Sequence, residues 1–205
     1  MKHLKIFENF TAQDLAQEYE DTRELVKLGL LPQDLLLELK AKLELLWYIE
    51  RGSTGDLDLS RTHLRSLGNL KSVGGYLDLV GSKIESLGEL MSVDRGLHLS
   101  RTNLESLGEL RSVGENLWLS DTKVRSLGKL QSIGGTLYSS GTHLESLGEL
   151  KSVGGHLGLV GSQIESLGEL KRVGGHLDLT RTPIARTHTE EEIRARVQVG
   201  GKIYL

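Results

Sequence analysis

At 205 residues the chain has room for one ordinary domain or for a short repeat array with caps. Its 25 glycines, 2 prolines and 4% aromatics, with leucines at even intervals, favour repeated tight turns around a thin layered core. The absence of cysteine excludes disulfides and thiolate metal sites, and a net charge of −3 with no basic segment argues against nucleic acid as a partner.

Residues 1–55 read as a helical N-terminal cap. Met1 to Asp14 holds basic residues but no continuous apolar run or cleavage site, so no secretory signal is expected. No later stretch has the length of a membrane span, which leaves a cytoplasmic location and no membrane partner as the expectation. Thr11 is placed to cap a helix that runs to about Leu28, with Leu15, Tyr19 and Val26 on one side and Gly29 closing it. Pro32 sits near the first turn of a second helix, where Leu35, Leu36, Leu39, Leu43, Leu46 and Trp47 recur at helical spacing until Gly52. The additional Leu37 and Leu45 imply that this helix packs on two sides, against the first helix and against the first coil of the repeat array. An interaction or oligomerisation surface is the alternative use of these helices.

From Asp56 to Thr182 the sequence repeats every 20 residues without an insertion. Seven units begin at Asp56, Tyr76, Gly96, Asn116, Thr136, His156 and His176, the last truncated, with the consensus x-L-x-L-x-x-T/S-x-L/I-x-S-L-G-x-L-x-S-V-G-G. A period of this length means a solenoid, because one unit buries its apolar face only by stacking on its neighbours. Leucines at unit positions 2 and 4 alternate with polar residues, as a strand with one buried face requires. Positions 9, 12, 15 and 18 complete the interior. Position 7 is Thr or Ser throughout (Thr62 to Thr182), expected to bond backbone groups in a ladder between coils, and Ser at position 11 is expected to act similarly. Gly at 13 and the frequent Gly-Gly at 19 and 20 are expected to supply positive φ at corners. Glu rows at positions 10 and 14 are interrupted by Arg65, Arg125 and Lys129 and lie near Lys71, Arg111, Lys151 and Lys171, a solvated and mutually compensating surface.

The motif L-x-L-x-x-T/S-x-L/I over residues 56–184 resembles the core of the leucine-rich repeat family, with Thr/Ser where that family usually has Asn. The short unit and its Gly-Gly corner look most like the receptor L-domain variety and its small bacterial and phage relatives. The resemblance implies a coil whose parallel strands form one exposed sheet, commonly the binding face. The expected fold is therefore an α/β solenoid: a leucine-rich-repeat-like parallel β coil of seven 20-residue units over 56–182, with an α-helical N-terminal cap and a helix-strand C-terminal cap.

Residues 183–205 form that last cap. Thr189 followed by Glu190, Glu191 and Glu192 is a strong helix start, and the helix is expected over Glu190–Val199. Gly200-Gly201 then turns the chain into a final strand, Lys202–Leu205, that covers the sheet edge.

Positions 1, 3 and 5 are expected to point outward on one face. Position 3 carries Asp78, His98, Trp118, Tyr138 and Asp178, and position 1 carries Tyr76, Asn116, His156 and His176. Trp118 and Tyr138 should stand side by side, as the centre of a protein-binding patch formed by these nine residues. Ser139 replaces an otherwise constant Leu at position 4, which predicts a thin place in the core, an inward tilt of Tyr138 or a pocket. His156, His176 and Asp178 have a spacing that could hold a metal but no evident supporting shell, so no metal or other cofactor is expected. No nucleophile setting or phosphate loop occurs, so the chain reads as non-catalytic. The expected partner is a protein, its identity unspecified, with a homodimer through the sheet face as the variant. Ice or another ordered surface is a further option, weakened by Arg61, Arg101, Asp121 and Arg181 beside the hydroxyl row and by the inward aim of position 7.

Overall fold

The computed structural model describes residues 12–205; the expected Thr11 cap lies outside them. Helix α1 (Ala12–Lys27) ends at Gly29, whose φ of +70° lets Leu30 N–H reach back to Leu25 O. Helix α2 (Gln33–Glu50) starts after Pro32, in extended conformation, and ends the same way at Gly52. The two-sided packing is present. Leu39 and Leu43 of α2 meet Leu15 of α1 in a small separate cluster, while Ala41, Leu45 and Tyr48 join the main core. Leu37 stays exposed. Tyr48 plugs the first coil: its phenol donates to Ser53 O (2.8 Å) and Gly55 O (2.9 Å) and accepts from Gly74 N–H (3.2 Å).

The repeats form a parallel β-solenoid with two sheets, where one was expected. Positions 2–3 of each unit build an eight-stranded sheet from Leu57–Asp58 to Ile203–Tyr204. Positions 17–18 build a second, seven-stranded sheet from Ser72–Val73 to Gln198–Val199. Pairing joins like positions of successive units, Leu57 to Leu77 and Val73 to Val93, so identical side chains stack in rows. In one full layer Leu97, Leu99, Leu104, Leu107, Leu110 and Val113 are all at most 1% exposed. Each such side chain removed from water contributes about 1.5–3 kcal/mol, and the stacked layers form one continuous core.

Position 7 side chains are buried apart from half-buried Thr62, but their hydroxyls bond within the coil and not between coils. Thr122 Oγ1 donates to Leu119 O at 2.8 Å, and Thr62, Ser82, Thr102, Thr142 and Thr182 make the same bond three residues back. The exception is Ser162 Oγ, buried without a hydrogen-bond partner among the described residues. Thr122→Val should therefore cost about 1 kcal/mol, whereas Ser162→Ala should be neutral or slightly stabilising. Urea unfolding of the two variants checks this, and equal losses would contradict it. The position 11 serines accept from the glycine N–H two residues on, as between Ser86 Oγ and Gly88 at 3.0 Å.

Positive φ occurs at position 13, from Gly68 to Gly168, and at position 6, where Arg61, Arg101, Asp121 and Arg181 adopt it without being glycine. The Gly-Gly corner is different from expectation. Its glycines have no positive φ; they are small because coils approach closely there. A Cβ on Gly134 would lie 1.9 Å from Gly114 O.

Three glutamates of the stripes are paired along their own rows. Arg65 pairs with Glu85, Arg125 with Glu145 and Lys129 with Glu109, each across one coil step. The bases at position 16 make none of these pairs. At two of these steps the backbones also bridge, Ser66 with Ser86 and Ser126 with Ser146.

At the C-terminus a 3-10 turn (Ile184–Arg186) leads to α3 (Glu190–Arg196), opened by a reciprocal capping box between Thr189 and Glu192. This helix stops short of the expected Val199. Val197 and Val199 are buried on either side of exposed Gln198, a strand alternation, and Gln198–Val199 pairs with Arg172–Val173 in the second sheet. Ile203–Tyr204 pairs with Leu177–Asp178, so one short segment extends both sheets.

Candidate functional site

The outer face of the larger sheet carries all nine residues singled out in the sequence, yet the structure gives most of them internal work. Position 1 does not project freely. Its side chain accepts the backbone N–H of position 1 in the next coil: Asp56 Oδ1 from Tyr76 (2.8 Å), Asn116 Oδ1 from Thr136 (2.7 Å), Thr136 Oγ1 from His156 (3.0 Å) and His156 Nδ1 from His176 (2.8 Å). His176 Nδ1 accepts from Lys202 in the same manner (2.8 Å). This is the inter-coil ladder, supplied by position 1 and not by the position 7 hydroxyls. Both imidazoles must keep Nδ1 unprotonated to hold it, and their rings stack at 4.8 Å. Asp78 and Asp178 are also committed: their Oδ1 atoms accept from Val80 and Thr180 N–H, closing the turn after the strand.

The ladder explains the second glycine of the corner. At Gly135, Gly155 and Gly175 a Cβ would lie 2.4–2.5 Å from the acceptor atom of the preceding coil. Tyr76 and Gly96 have no short-reach acceptor at position 1. At those two rungs alone, position 20 holds side chains, Arg95 and Glu115. These fold back on Tyr76: the guanidinium lies 4.3 Å from the ring centroid, and the phenol donates to Glu115, which also receives Arg95 Nε at 3.2 Å. The phenol and then the guanidinium hold the Glu115 carboxyl below the usual range, and the bond to Glu115 raises the Tyr76 phenol. Tyr76 reaches across Gly96 towards Trp118, since a Cβ on Gly96 would meet Tyr76 Cε1 at 2.7 Å and Trp118 Cζ3 at 3.0 Å.

His98, Trp118 and Tyr138 remain as a row of rings on adjacent strands. His98 and Trp118 centroids are 5.1 Å apart, tilted at 43°; Trp118 and Tyr138 are stacked 5.8 Å apart with nearly parallel planes, at 7°. The expected side-by-side Trp–Tyr pair is therefore present. Tyr138 is 44% exposed and does not tilt inward at Ser139. Ser139 is buried, and its hydroxyl donates to Gly158 O at 2.7 Å, so a polar bond between coils stands where the other units pack a leucine.

Depressions also lie elsewhere. One of about 660 Å³ is lined by Thr102, Asp121, Lys123, Arg125 and His143; another, about 480 Å³, follows the second sheet past Ser112, Ser132 and Ser152. That serine row was missed because the second sheet was missed; the Ser recurring at position 17 from Ser72 to Ser152 was its trace in the sequence. Among the described residues no group of three or more His, Asp or Glu is arranged to hold a metal ion, and no helix is long and apolar enough to cross a membrane.

These features define the class: a parallel β-solenoid with two N-terminal helices and a short helix and strands at its C-terminus. No family model, curated protein or solved structure matches the chain.

Proposed function

We propose that the protein is a non-catalytic interaction module of leucine-rich-repeat type, acting in the cytoplasm, that binds a protein partner through the outer face of its larger sheet. The observation that carries this reading is the row His98–Trp118–Tyr138. Large rings held side by side by the backbone present rigid amphipathic area at little entropic cost, the usual composition of interface hot spots. The tied residues Tyr76, Asn116, His156, His176, Asp78 and Asp178 fix the frame around that row. Ordered-surface binding through the position 7 hydroxyls is not part of the proposal, since all but that of half-buried Thr62 are buried and all but that of Ser162 are bonded to carbonyls.

The test is affinity capture with the whole chain as bait, comparing wild type, a Trp118→Ser/Tyr138→Ser double variant, and Lys83→Ser on another face. Mass in solution is measured for each. A partner retained by wild type and Lys83→Ser but lost by the folded double variant is the expected result. Equal capture by all three would overturn it. A dimer of wild type that becomes monomeric in the double variant would show that the partner is a second copy.

A further inference from the structure

We propose that the rung at Gly158 is a slot for the guanidinium of a partner's arginine, sandwiched between the ring of Tyr138 and the carboxylate of Asp178. This inference rests on the reading of the sheet face as a protein-binding surface and names the side chain that face selects.

The position 3 row runs His98, Trp118, Tyr138, Gly158, Asp178 across neighbouring parallel strands. One face of Tyr138 is stacked on Trp118. Its other face looks along the row to Gly158, which has no side chain. A Cβ at Gly158 would meet only Leu137 O, at 3.5 Å, and no side-chain atom lies within 4 Å of it. The other glycine on this face behaves oppositely, because Gly96 is already covered by Tyr76 and Trp118. Tyr138 and Asp178 are two strand spacings apart, about 10 Å, which leaves room for one planar group between them.

The chemistry at the two walls selects the group. A tyrosine face attracts cations, guanidinium most often, and a carboxylate opposite it adds charge and hydrogen-bond acceptors. Asp178 Oδ1 is taken by Thr180 N–H, whereas Oδ2 makes no hydrogen bond or ion pair among the described residues. The same face shows that an arginine is taken up by this pair of groups: Arg95 lies 4.3 Å over Tyr76 and its Nε bonds Glu115, whose other oxygen accepts from the Tyr76 phenol. There the protein supplies its own arginine. At Gly158 a ring and a carboxylate flank a position that has no side chain.

The experiment is a titration of the full chain with the tripeptide acetyl-Gly-Arg-Gly-amide, followed by amide and ring proton shifts in NMR. Its citrulline counterpart, equal in shape and uncharged, is the comparison. The expected result is saturable shifts at the Gly158 amide and Tyr138 ring with the arginine peptide, and at least about threefold weaker binding with citrulline. Asp178→Asn, which keeps an oxygen for Thr180, should weaken arginine binding about two- to fivefold. Gly158→Val fills the gap with a strand-favouring residue and should abolish the shifts while the protein stays folded. Equal binding of arginine and citrulline, binding unaffected by Gly158→Val, or the absence of shifts at these sites would overturn the slot. A partner captured through Trp118 and Tyr138 that ignores Gly158→Val would overturn it while leaving the interaction module standing. Peptide binding without any captured partner would do the reverse.

Discussion

Gly148→Ala is expected to destabilise the protein by about 3–5 kcal/mol, against about 1–2 kcal/mol for Gly128→Ala. The two glycines occupy the same corner of successive units and have almost the same backbone, with φ of +55° and +56°. The smaller figure is the cost of holding a Cβ in the left-handed region, which both variants share. They differ in what a Cβ meets. At Gly128 nothing lies within 4 Å, whereas at Gly148 it would be 2.2 Å from Gly128 O and 2.6 Å from Gly128 N. Those atoms are backbone and cannot rotate away. Moving the coils apart would also strain the bond from Glu149 N–H to Gly128 O, 2.9 Å, and the nearby bridge between Ser126 and Ser146. Denaturant midpoints of the two variants separate the contributions. Equal losses would mean that the coil gives way at no cost and that conformation alone demands glycine here.

The second large effect is expected at Tyr48. Tyr48→Ala should cost about 3–5 kcal/mol, in the range of other large-to-small changes at buried aromatics, and Tyr48→Phe about 1 kcal/mol. The ring is 4% exposed and joins α2 to the main core, while its hydroxyl serves Ser53, Gly55 and Gly74. Burial raises the phenol's pKa, consistent with a group that works as a neutral donor and acceptor. Phenylalanine keeps the volume and loses only the polar contacts; Gly74 N–H retains Ser53 O at 3.0 Å. Alanine opens the end of the solenoid to water. Loss of helical signal ahead of the sheet signal on heating Tyr48→Ala would show that α1 and α2 detach as a unit. A phenylalanine variant as unstable as alanine would place the contribution in the hydroxyl and not in the plug.

The solenoid was legible because its period is uniform and its leucines sit at fixed positions, so stacking was the only way to bury them. The ring row came from the same arithmetic, since one strand spacing separates Trp118 from Tyr138. The second sheet was hidden by its brevity: two residues such as Ser112–Val113 give too little alternation to read as a strand. The ladder at position 1 was hidden by chemistry. Asp56, Asn116, Thr136, His156 and His176 differ in charge, size and hydropathy, and variation at a surface position looked like freedom to bind. What they share is an acceptor atom two or three bonds from Cα, and that shared reach was the signal. The same diversity led Asn116, His156 and His176 to be read as contact residues when their first task is joining coils. At the C-terminus the strong helix start of Thr189–Glu192 masked the alternation of Val197, Gln198 and Val199 that ends the helix.

Because every strand within the repeats pairs with the one 20 positions away, and always at the same place in its unit, the repeat array is assembled from interchangeable parts. Excising residues 97–116 would set Leu117 against Leu77 and leave each interior row intact but one rung shorter. The outward rows would not survive unchanged, because Asp78 would then neighbour Trp118 and His98 would be gone. Gain or loss of a 60-nucleotide stretch of coding sequence therefore edits the pattern of groups on the outer face while leaving the interior nearly untouched. A lineage could revise its outer surface by recombination between its own repeats, without first risking its ability to fold.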